Sequence, residues 1–530
     1  MLVDKEIQKR KKVKSKKRIV IISDTHITPT GTNFNLHAFE KGMEKVNKIK
    51  DVDIFLHLGD ITDTGTLLDY EYALDLYKQF KPVSKAPLYY LIGNHDALNV
   101  GYLLFEEILG ERHFEYEDES LYIIGIDSTK PDLPGGVIHH NTIEAIRKRL
   151  VAPERKDKIK VVCFHHQLIP IPNTGKERSA IDDSGNMLRM LLETKADLVL
   201  NGHRHISNLY TVSSTQKNLY IFNSGTFCCN KTRYRELFTY NILEIENNTL
   251  HFRIIPTLER SLFTKQINRT INYYHPREIK SDEEPYCKFI QLSNSLISEE
   301  ASDKVTNFDK ALKEINMMED IDLVVHAGNL TSNSYEQEFK IAKEKLNKIK
   351  FPYLAVPGFT DSKPPAWQFW DKYLGDLNPL FENDKIYFRG INSTTPDSKI
   401  GFVGRKKLHK FIEKVLTLSH EKIFGICCFH SLIPTPLSVW RTELTDAGDV
   451  LSQIARSRIG LVLNNTPSIS FNVKVENSII SNGGNLKGDH FNAAFIEITI
   501  YKDGYVILTE HDLDTGKKRN IGKYNITILT

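Results

Sequence analysis

The stretch ADLVLNGHRHIS, residues 196–207, returns 263 residues later as IGLVLNNTPSIS, residues 459–470. Both versions contain Leu-Val-Leu-Asn and both end in Ile-Ser, but the second version has neither histidine. The apolar run predicts a buried strand in each place. A segment that keeps its apolar residues and loses its histidines indicates two related folds, one of which has lost a chemical site.

Five further pairs of segments repeat in the same order along the chain, with an offset that drifts only from 270 to 263 residues. They are IISDTHI with IQLSNSLI, LHLGDITD with VHAGNLTS, YLIGNHD with LAVPGFTD, GIDST with GINST, and CFHHQLIPIP with CFHSLIPTP. Repeats on this scale predict a duplicated domain, because the repeats of solenoid proteins are far shorter. The predicted boundaries are a basic N-terminal tail 1–17, a catalytic domain 18–268, a linker 269–285 and a second domain 286–530.

Size and composition limit the class of protein. The chain has 530 residues, too many for one ordinary core, and its 40% hydrophobic and 26% charged content is typical of soluble globular proteins. It has no apolar run of membrane-spanning length, and no apolar stretch follows the basic N-terminus as in a secretory signal. The six cysteines are too few for a disulfide scaffold, so we expect reduced thiols in a cytoplasmic protein.

The basic run from Lys9 to Arg18 could bind nucleic acid or an anionic membrane, or form a solvated tail. The solvated tail is favoured, because no aromatic residues are interleaved and the net charge is only +3.

Short β-branched apolar runs alternate with longer amphipathic stretches within each half. RIVIIS, DIFLHLG, PLYYLIG, KVVCFH and DLVLNG predict buried strands, and NLHAFEKGMEKVNKIK, DYEYALDLYKQF and NTIEAIRKRLV predict helices between them. Strands follow one another in NLYIFNSG and TYNILEIENNTLHFRII. The pattern indicates an α/β layered architecture.

Polar side chains follow five of the predicted strands in the first half. They are Asp24 and His26, then Asp60, then Asn94, His95 and Asp96, then His165 and His166, and last His203 and His205. Ligands of open α/β sheets bind outside the carboxyl ends of the strands, so these side chains should meet at one rim. Buried carboxylates and imidazoles need a compensating charge, which divalent cations would supply.

This set of residues predicts a pair of divalent ions. Asp60 could bridge both ions, with Asp24, His26 and His205 around one of them and Asn94, His165 and His203 around the other. No thiolate is placed in the set, so manganese, iron, zinc or cobalt is expected. Two such ions lower the pKa of a bridging water and hold the oxygens of a phosphoryl group. His95 is then the partner of the leaving oxygen, as a general acid or a positive clamp.

In that order, the motifs SDTH, GD, GNHD, HH and GHRH resemble the signature of the calcineurin-like metallophosphoesterases. The resemblance covers most of residues 18–255. It implies a four-layer α-β-β-α fold, here twice in tandem, and a binuclear metal site made by the seven residues above, with His95 as the catalytic histidine. FHHQLIPIP is similar to the branch of cyclic-nucleotide phosphodiesterases, where His-His-Pro-Pro is usual and this chain has Gln167 and Leu168. Arg233, in a segment similar to that branch's closing segment, is either a substrate-phosphate contact or a surface arginine.

The predicted function is metal-dependent hydrolysis of phosphoesters, as a phosphodiesterase acting on a small nucleotide or cyclic nucleotide. The alternatives are a nuclease of DNA or RNA, a phosphomonoesterase, and a scaffold that binds metal for stability only. A small phosphoester is the expected partner, with nucleic acid less favoured and no membrane.

The second half has lost nearly the whole predicted site. Asn294, Leu296, Asn329, Phe359, Thr360, Thr466 and Ser468 stand where the first half has Asp24, His26, Asp60, Asn94, His95, His203 and His205. His430 is matched with His165 as the one histidine that is kept. The second domain is therefore predicted to bind no metal and to act as a packing partner, with an effector module as the alternative.

Overall fold

The computed structural model describes residues 16–175, 180–234, 236–258, 264–274, 277–280, 283–301, 306–418, 421–437, 444–465, 468–488 and 491–527. The chain divides into two compact units. Unit 1 comprises residues 1–174, 178–211 and 217–273, and unit 2 comprises residues 175–177, 212–216 and 274–530. Most of the predicted basic tail lies outside the described residues, and the first strand begins at Lys17.

The strands and helices of unit 1 alternate as the sequence predicts. Its strands are β1 (Lys17–Ile22), β2 (Ile54–His57), β3 (Leu88–Tyr90), β4 (Phe114–Glu117), β5 (Leu121–Gly125), β6 (Ile159–Cys163), β7 (Leu198–Asn201), β8 (Asn208–Ser213), β9 (Asn218–Asn223), β10 (Thr239–Glu246), β11 (Thr249–Pro256) and β12 (Lys265–Thr270). The last two residues of β8 are assigned to unit 2. Its helices are α1 (Leu36–Asn47), α2 (Leu67–Tyr77), α3 (Gly101–Ile108), α4 (His140–Leu150) and α5 (Ser184–Glu193), with a short 3₁₀ helix at Pro153–Arg155.

Two sheets form the middle layers of unit 1. One has the order β12-β11-β10-β1-β2-β3, and in the other the strands β8-β9-β7-β6-β5-β4 lie side by side. The strands β1, β2 and β3 are parallel to one another, as are β5, β6, β7 and β9. The carboxyl ends of each parallel set therefore lie at one edge of its sheet.

Alternation along β1 shows how the layers are packed. Ile19 and Ile21 belong to a buried apolar cluster with residues of β6, β7 and β9 in the other sheet. Val20 and Ile22 belong to a second cluster with Phe39 of α1 and residues of α2 and α3. Successive strand residues point to opposite faces, so β1 is buried on both sides. The helices α4 and α5 bury their own apolar faces and complete an α-β-β-α arrangement.

Unit 2 contains a second set of strands and helices. Its strands are β13 (Cys287–Leu292), β14 (Leu323–His326), β15 (Tyr353–Ala355), β16 (Leu380–Glu382), β17 (Ile386–Gly390), β18 (Ile423–Cys428), β19 (Leu461–Asn464), β20 (Phe471–Val475), β21 (Ser478–Asn482), β22 (Ala494–Ile500), β23 (Tyr505–Asp512) and β24 (Lys518–Asn525). Its helices are α6 (Asn307–Ile315), α7 (Glu336–Leu346), α8 (Ala366–Leu374), α9 (Arg405–Thr417) and α10 (Ala447–Ala455). Short 3₁₀ helices lie at Glu299–Ala301 and Phe359–Asp361.

The strand orders of unit 2 match those of unit 1 strand for strand. One sheet has the order β24-β23-β22-β13-β14-β15, and β20-β21-β19-β18-β17-β16 lie side by side in the other. The α/β fold class predicted from the sequence is confirmed. We interpret the matching order as the product of a tandem duplication.

Among the described residues, no helix is both long enough and apolar enough to cross a membrane. All six cysteines are buried free thiols.

Candidate metal centre

The residues predicted to bind metal lie just after β1, β2, β6 and β7 and just after β3, at the carboxyl ends of parallel strands. Several of them occupy turns with a left-handed backbone: φ is 53° at Asp24, 48° at His26, 53° at Asp60, 70° at His203 and 53° at His205. Residues other than glycine rarely adopt this conformation, and strained backbone clusters at functional sites. These turns aim the side chains of both sheets into one buried space.

One group of possible ligands consists of Asp24, His26, Asp60 and His205. All four are buried, and one donor atom from each lies within 4.8 Å of the others. Nε2 of His205 lies 3.3 Å from Oδ1 of Asp24 and 3.1 Å from Nε2 of His26. Two ring nitrogens and two carboxylates that converge at this spacing form a donor set for a divalent ion.

A second group shares Asp60 with the first and adds His165 and His203. Oδ2 of Asp60 lies 3.4 Å from Nε2 of His26 and 3.2 Å from Nε2 of His165, so this oxygen faces both groups. Oδ1 of Asn94 lies 2.8 Å from Nδ1 of His203 and 3.2 Å from Nε2 of His165. The structure thus brings together all seven residues that the sequence singled out.

Outer hydrogen bonds hold three of the imidazoles so that Nε2 faces the groups. Nδ1 of His165 lies 2.8 Å from the carbonyl oxygen of Leu58, and Nδ1 of His205 lies 2.7 Å from that of Lys231. Nδ1 of His26 lies 3.1 Å from Oδ1 of Asp63. Histidines that bind metal have this arrangement, because the outer acceptor fixes the tautomer and leaves the other nitrogen free. The residues present therefore fit divalent ions.

The pKa shifts of the histidines in these groups also fit a site for divalent ions. Burial disfavours the charged form of His205, but the charge and hydrogen bond of Asp24 outweigh it and raise the pKa of His205 to about 10. Burial is likewise outweighed at His165, where Asp60 raises the pKa to about 9. Burial lowers the pKa of His26 to about 4. Protons on His165 and His205 thus balance the carboxylates, and a divalent ion can replace them.

His95 differs from the fully buried ligands proposed above in its exposure and contacts. Its backbone N–H donates to Oδ1 of Asp60 at 2.8 Å, and its Nδ1 lies 2.6 Å from the carbonyl oxygen of Asp63. The side chain is 25% exposed, whereas those of His26 and Asp60 are 1% and 2% exposed. His26, Asp63 and His95 also form a compact group of possible ligands. The carboxylate of Asp63 is, however, already hydrogen-bonded by His26 and Asn33, so we do not assign a third metal site to this group. His95 is thus held at the accessible side of the site.

Asp96 supports the site, a role that the sequence analysis did not assign. Its carboxylate accepts hydrogen bonds from the backbone N–H groups of Ile61, Thr62 and Gly93 and from the hydroxyl of Thr62. Burial, and then the charge of Asp60, raise the pKa of Asp96 to about 6. The carboxylate ties the turn that carries Asp60 to the turn that carries Asn94.

Gly202 is another supporting residue that sequence reasoning passed over. A Cβ atom at this position would lie 2.3 Å from Oγ of Ser23 and 2.9 Å from Oδ2 of Asp24. The backbone N–H of His203, the next residue, donates to Oδ1 of Asp24 at 3.0 Å. Only glycine allows the backbone to approach Asp24 this closely.

Cys229 lies beside the first group, where the sequence analysis placed no thiol. Its Sγ and one nitrogen each of His26 and His205 lie within 4.8 Å of one another. The adjacent Cys-Cys pair was the available signal, but nothing in the sequence shows which thiol faces the site. Arg233 is exposed and lies two residues after Lys231, whose carbonyl oxygen contacts His205.

Unit 2 has a network of amides in the corresponding place. Nδ2 of Asn329 donates to Oδ1 of Asn294 at 3.0 Å, and Nδ2 of Asn465 donates to the same oxygen at 2.7 Å. Asn465 occupies the position of Gly202, because the two residues make equivalent backbone hydrogen bonds. The N–H of Gly202 donates to the carbonyl oxygen of His165, and the N–H of Asn465 donates to the carbonyl oxygen of Phe429. The side chain of Asn465 thus enters the space that Gly202 leaves open.

The match of His430 with His165 is wrong. Nδ1 of His430 lies 2.8 Å from Oγ of Ser393, as Nδ1 of His166 lies 2.9 Å from Oγ of Ser128. His430 therefore corresponds to His166. Phe429 stands in the place of His165: a Cβ added at Gly328 would meet its ring, just as one added at Gly59 would meet the ring of His165.

The backbone of unit 2 nevertheless keeps the form of the site. The φ angles of Asn294, Leu296 and Asn329 are 55°, 45° and 56°, close to those of Asp24, His26 and Asp60. Within the residues described for unit 2, no three His, Cys, Asp or Glu side chains converge as a metal site requires. Thr466 lies outside the described residues, and Oγ of Ser468 donates to the carbonyl oxygen of Pro436.

Residues 17–207 match the calcineurin-like phosphoesterase family. This match confirms the resemblance carried by the motifs. Family and donor groups together support a hydrolase that acts on phosphoesters and can bind divalent metal.

Two curated relatives are phosphodiesterases by name. A "probable cyclic nucleotide phosphodiesterase" of Xenorhabdus bovienii is 19% identical over 207 residues, which are 36% of this chain and 80% of the relative. A "probable glycerophosphodiester phosphodiesterase", GpdQ, of Arcobacter nitrofigilis is 30% identical over 167 residues, 29% of this chain and 58% of the relative. Among solved structures, purple acid phosphatase PPD1 from yellow lupin (Lupinus luteus) seeds is 14% identical with a TM-score of 0.38, covering 48% of this chain and 53% of that one.

Proposed function

We propose that unit 1 is a phosphodiesterase that requires two divalent metal ions and cleaves a small nucleotide or cyclic nucleotide. The observation that carries the proposal is Oδ2 of Asp60, which lies within 3.4 Å of Nε2 of both His26 and His165 and so faces both donor groups. The two relatives named above, whose names describe cleavage of phosphodiesters, support this substrate class.

The proposed ligands divide into two sets that share Asp60. Asp24, His26 and His205 would hold one ion, and Asn94, His165 and His203 would hold the other. When bound, the ions lower the pKa of a water and neutralise charge on the phosphoryl oxygens. The metals expected from these donors are manganese, iron, zinc or cobalt.

His95 is proposed to serve the leaving oxygen. The carbonyl oxygen of Asp63 accepts a hydrogen bond from Nδ1 of His95, which fixes the ring. In the imidazolium form of His95, Nε2 then carries the second proton and can donate a proton or a hydrogen bond. Its 25% exposure lets it meet a substrate while its backbone N–H keeps Asp60 oriented. Arg233, exposed near His205, is proposed to contact the substrate phosphate.

The proposed domain boundaries separate a domain that has the metal ligands from one that lacks them. We propose a catalytic domain over 18–268, a linker over 269–285 and a domain without a metal site over 286–530, after a basic tail over 1–17. The amide network of Asn294, Asn329 and Asn465 supports the absence of metal from unit 2, because amides do not supply the negative charge that a pair of dications requires.

The test is hydrolysis of a panel of substrates with added manganese: cyclic AMP, bis-para-nitrophenyl phosphate, para-nitrophenyl phosphate and single-stranded DNA. We expect the diesters to be cleaved faster than the monoester. Asp60→Asn should abolish most activity and release metal, whereas Asn329→Ala, the change at the corresponding position of unit 2, should leave both unchanged. Wild-type turnover and metal content in Asp60→Asn would refute the proposal, and a preference for DNA by orders of magnitude would identify a nuclease instead.

A further inference from the structure

Among the residues that the structure describes, Cys229 is the cysteine that is grouped with proposed metal ligands. The residue is fully buried, and its Sγ lies within 4.8 Å of the nearest donor atoms of His26 and His205. Zinc binds imidazole nitrogen at about 2.0–2.1 Å and thiolate sulfur at about 2.3 Å, so that donors of one ion lie within about 4.4 Å of each other. The spacing between Cys229 and the two histidines exceeds that limit by no more than a few tenths of an ångström, which the binding of an ion can close.

Hydrogen bonds fix the backbone that carries this thiol. The N–H of Cys229 donates to Oγ1 of Thr226 at 2.8 Å, and the Thr226 hydroxyl donates to the carbonyl oxygen of Asp24 at 2.7 Å. Two residues beyond Cys229, the carbonyl oxygen of Lys231 accepts the hydrogen bond from His205. The segment is therefore tied to the turn of Asp24 on one side of the thiol and to His205 on the other.

The preceding cysteine points away from the site. Sγ of Cys228 donates to the carbonyl oxygen of Thr25 at 3.3 Å, and Cys228 belongs to the apolar cluster between the first sheet and its helices. The two thiols are neighbours in sequence and equally buried, yet only Cys229 reaches the donor group. Cys228 is thus a matched control.

Unit 2 lacks the sulfur as well as the other donors. The N–H of Leu486 donates to the carbonyl oxygen of Ser293, as the N–H of Phe227 donates to that of Ser23. Counting two residues on from each places Gly488 where unit 1 has Cys229. The thiol is therefore present in the unit that has the carboxylates and histidines and absent from the unit that has lost them.

We propose that Cys229 is a thiolate ligand of the metal ion held by Asp24, His26 and His205. This inference rests on the metal centre of the proposed function. On binding, the S–H proton passes to solvent and a sulfur lone pair forms the bond to the ion. A sulfur donor favours zinc, cobalt or ferrous iron over manganese, so Cys229 makes this position the more selective of the two.

Cobalt substitution tests the ligand directly by spectroscopy. The full chain is freed of metal, reloaded with Co²⁺ and examined by absorption for the visible d–d bands of bound cobalt and the near-ultraviolet charge-transfer band of a sulfur–cobalt bond. We expect both in the wild-type protein and in Cys228→Ser. Cys229→Ser should keep the d–d bands and lose the charge-transfer band, and its affinity for zinc should fall more than its affinity for manganese.

The possible outcomes separate this inference from the function on which it rests. Bound cobalt without a charge-transfer band in the wild-type protein would overturn the thiolate ligand and leave the phosphodiesterase intact. A band that persists in Cys229→Ser would overturn it too. Failure of the wild-type chain to bind cobalt at all would count against the metal centre itself. If Cys229→Ser does not fold, the cadmium NMR shift of the wild-type protein shows whether sulfur is bound, and a shift typical of nitrogen and oxygen ligands alone would refute the proposal.

Discussion

Replacement of Gly202 by alanine should disturb the metal centre through a single methyl group. The new Cβ would lie 2.3 Å from Oγ of Ser23 and 2.9 Å from Oδ2 of Asp24. Neither atom can move freely, because Oγ of Ser23 donates to Oδ2 of Asp24 at 2.5 Å and the N–H of His203 donates to Oδ1. The methyl group must therefore displace the Asp24 carboxylate from its place beside His205.

Two magnitudes follow from this clash. Overpacking of a well-packed interior costs about 1–3 kcal/mol. At about 2–4 °C for each kcal/mol in a domain of this size, the melting temperature of the metal-free protein should fall by about 2–12 °C. A change that misorients a metal ligand typically costs about 10–100-fold in metal affinity, and we expect that loss for the ion beside Asp24.

The assay combines thermal melting in the presence of a chelator with titration of the metal-free protein by zinc or manganese against a competing chelator. Melting without metal measures the packing cost, and the titration measures the loss at the metal site. Gly135→Ala is the control, since no atom lies within 4 Å of a Cβ at Gly135, and it should match the wild type in both assays. A Gly202→Ala protein with wild-type melting temperature and wild-type metal affinity would refute the reasoning.

Three other predictions test the roles of single side chains. His95→Ala should keep its metal but lose roughly 10²–10⁴-fold in rate, as for other general acids, with a smaller loss for a nitrophenolate leaving group; equal losses for good and poor leaving groups would exclude the acid role. Elemental analysis of protein purified in zinc or manganese should give two equivalents per chain, unchanged in His430→Ala; four equivalents would mean that unit 2 binds metal. Asp96→Asn and Asp361→Asn should each destabilise the protein by about 1–3 kcal/mol, because each puts an amide donor against backbone N–H donors. Only Asp96→Asn should also lower the rate, and an equal loss of rate in both variants would contradict the assignment of the site to unit 1.

The sequence was sufficient to predict the α/β class and to single out all seven residues that converge in unit 1. The reason is that both depend on local pattern: an apolar run predicts a buried strand, and the residue that follows it lies at the carboxyl end. Asp24, Asp60 and His165 each follow such a run directly or after a single residue. Asp24 and Asp60 lie at one edge because β1 and β2 are parallel neighbours, whereas His165 follows β6 of the other sheet and reaches them through the packing of the two sheets.

Only the tertiary structure decided which residue of unit 2 replaces which residue of unit 1. CFHH and CFHS align by letter so that His430 meets His165, but hydrogen bonds to Ser393 and Ser128 show that His430 is the counterpart of His166. A one-residue shift reverses the direction of every side chain on a strand, and aligned letters do not record that direction.

The same limit explains Cys229 and Gly202. The two residues are far from Asp24 in sequence, and each matters because the fold brings its backbone to the turn of Asp24. The segment of Cys229 reaches that turn through Thr226, and Gly202 reaches it beside Ser23. The sequence by itself determined which strands form and what chemistry follows them, because those are properties of neighbouring residues. The packing of the two sheets decided how closely one turn approaches another, since contacts between distant residues exist only in the folded chain. That packing therefore also decided which thiol faces the metal centre and where only glycine fits.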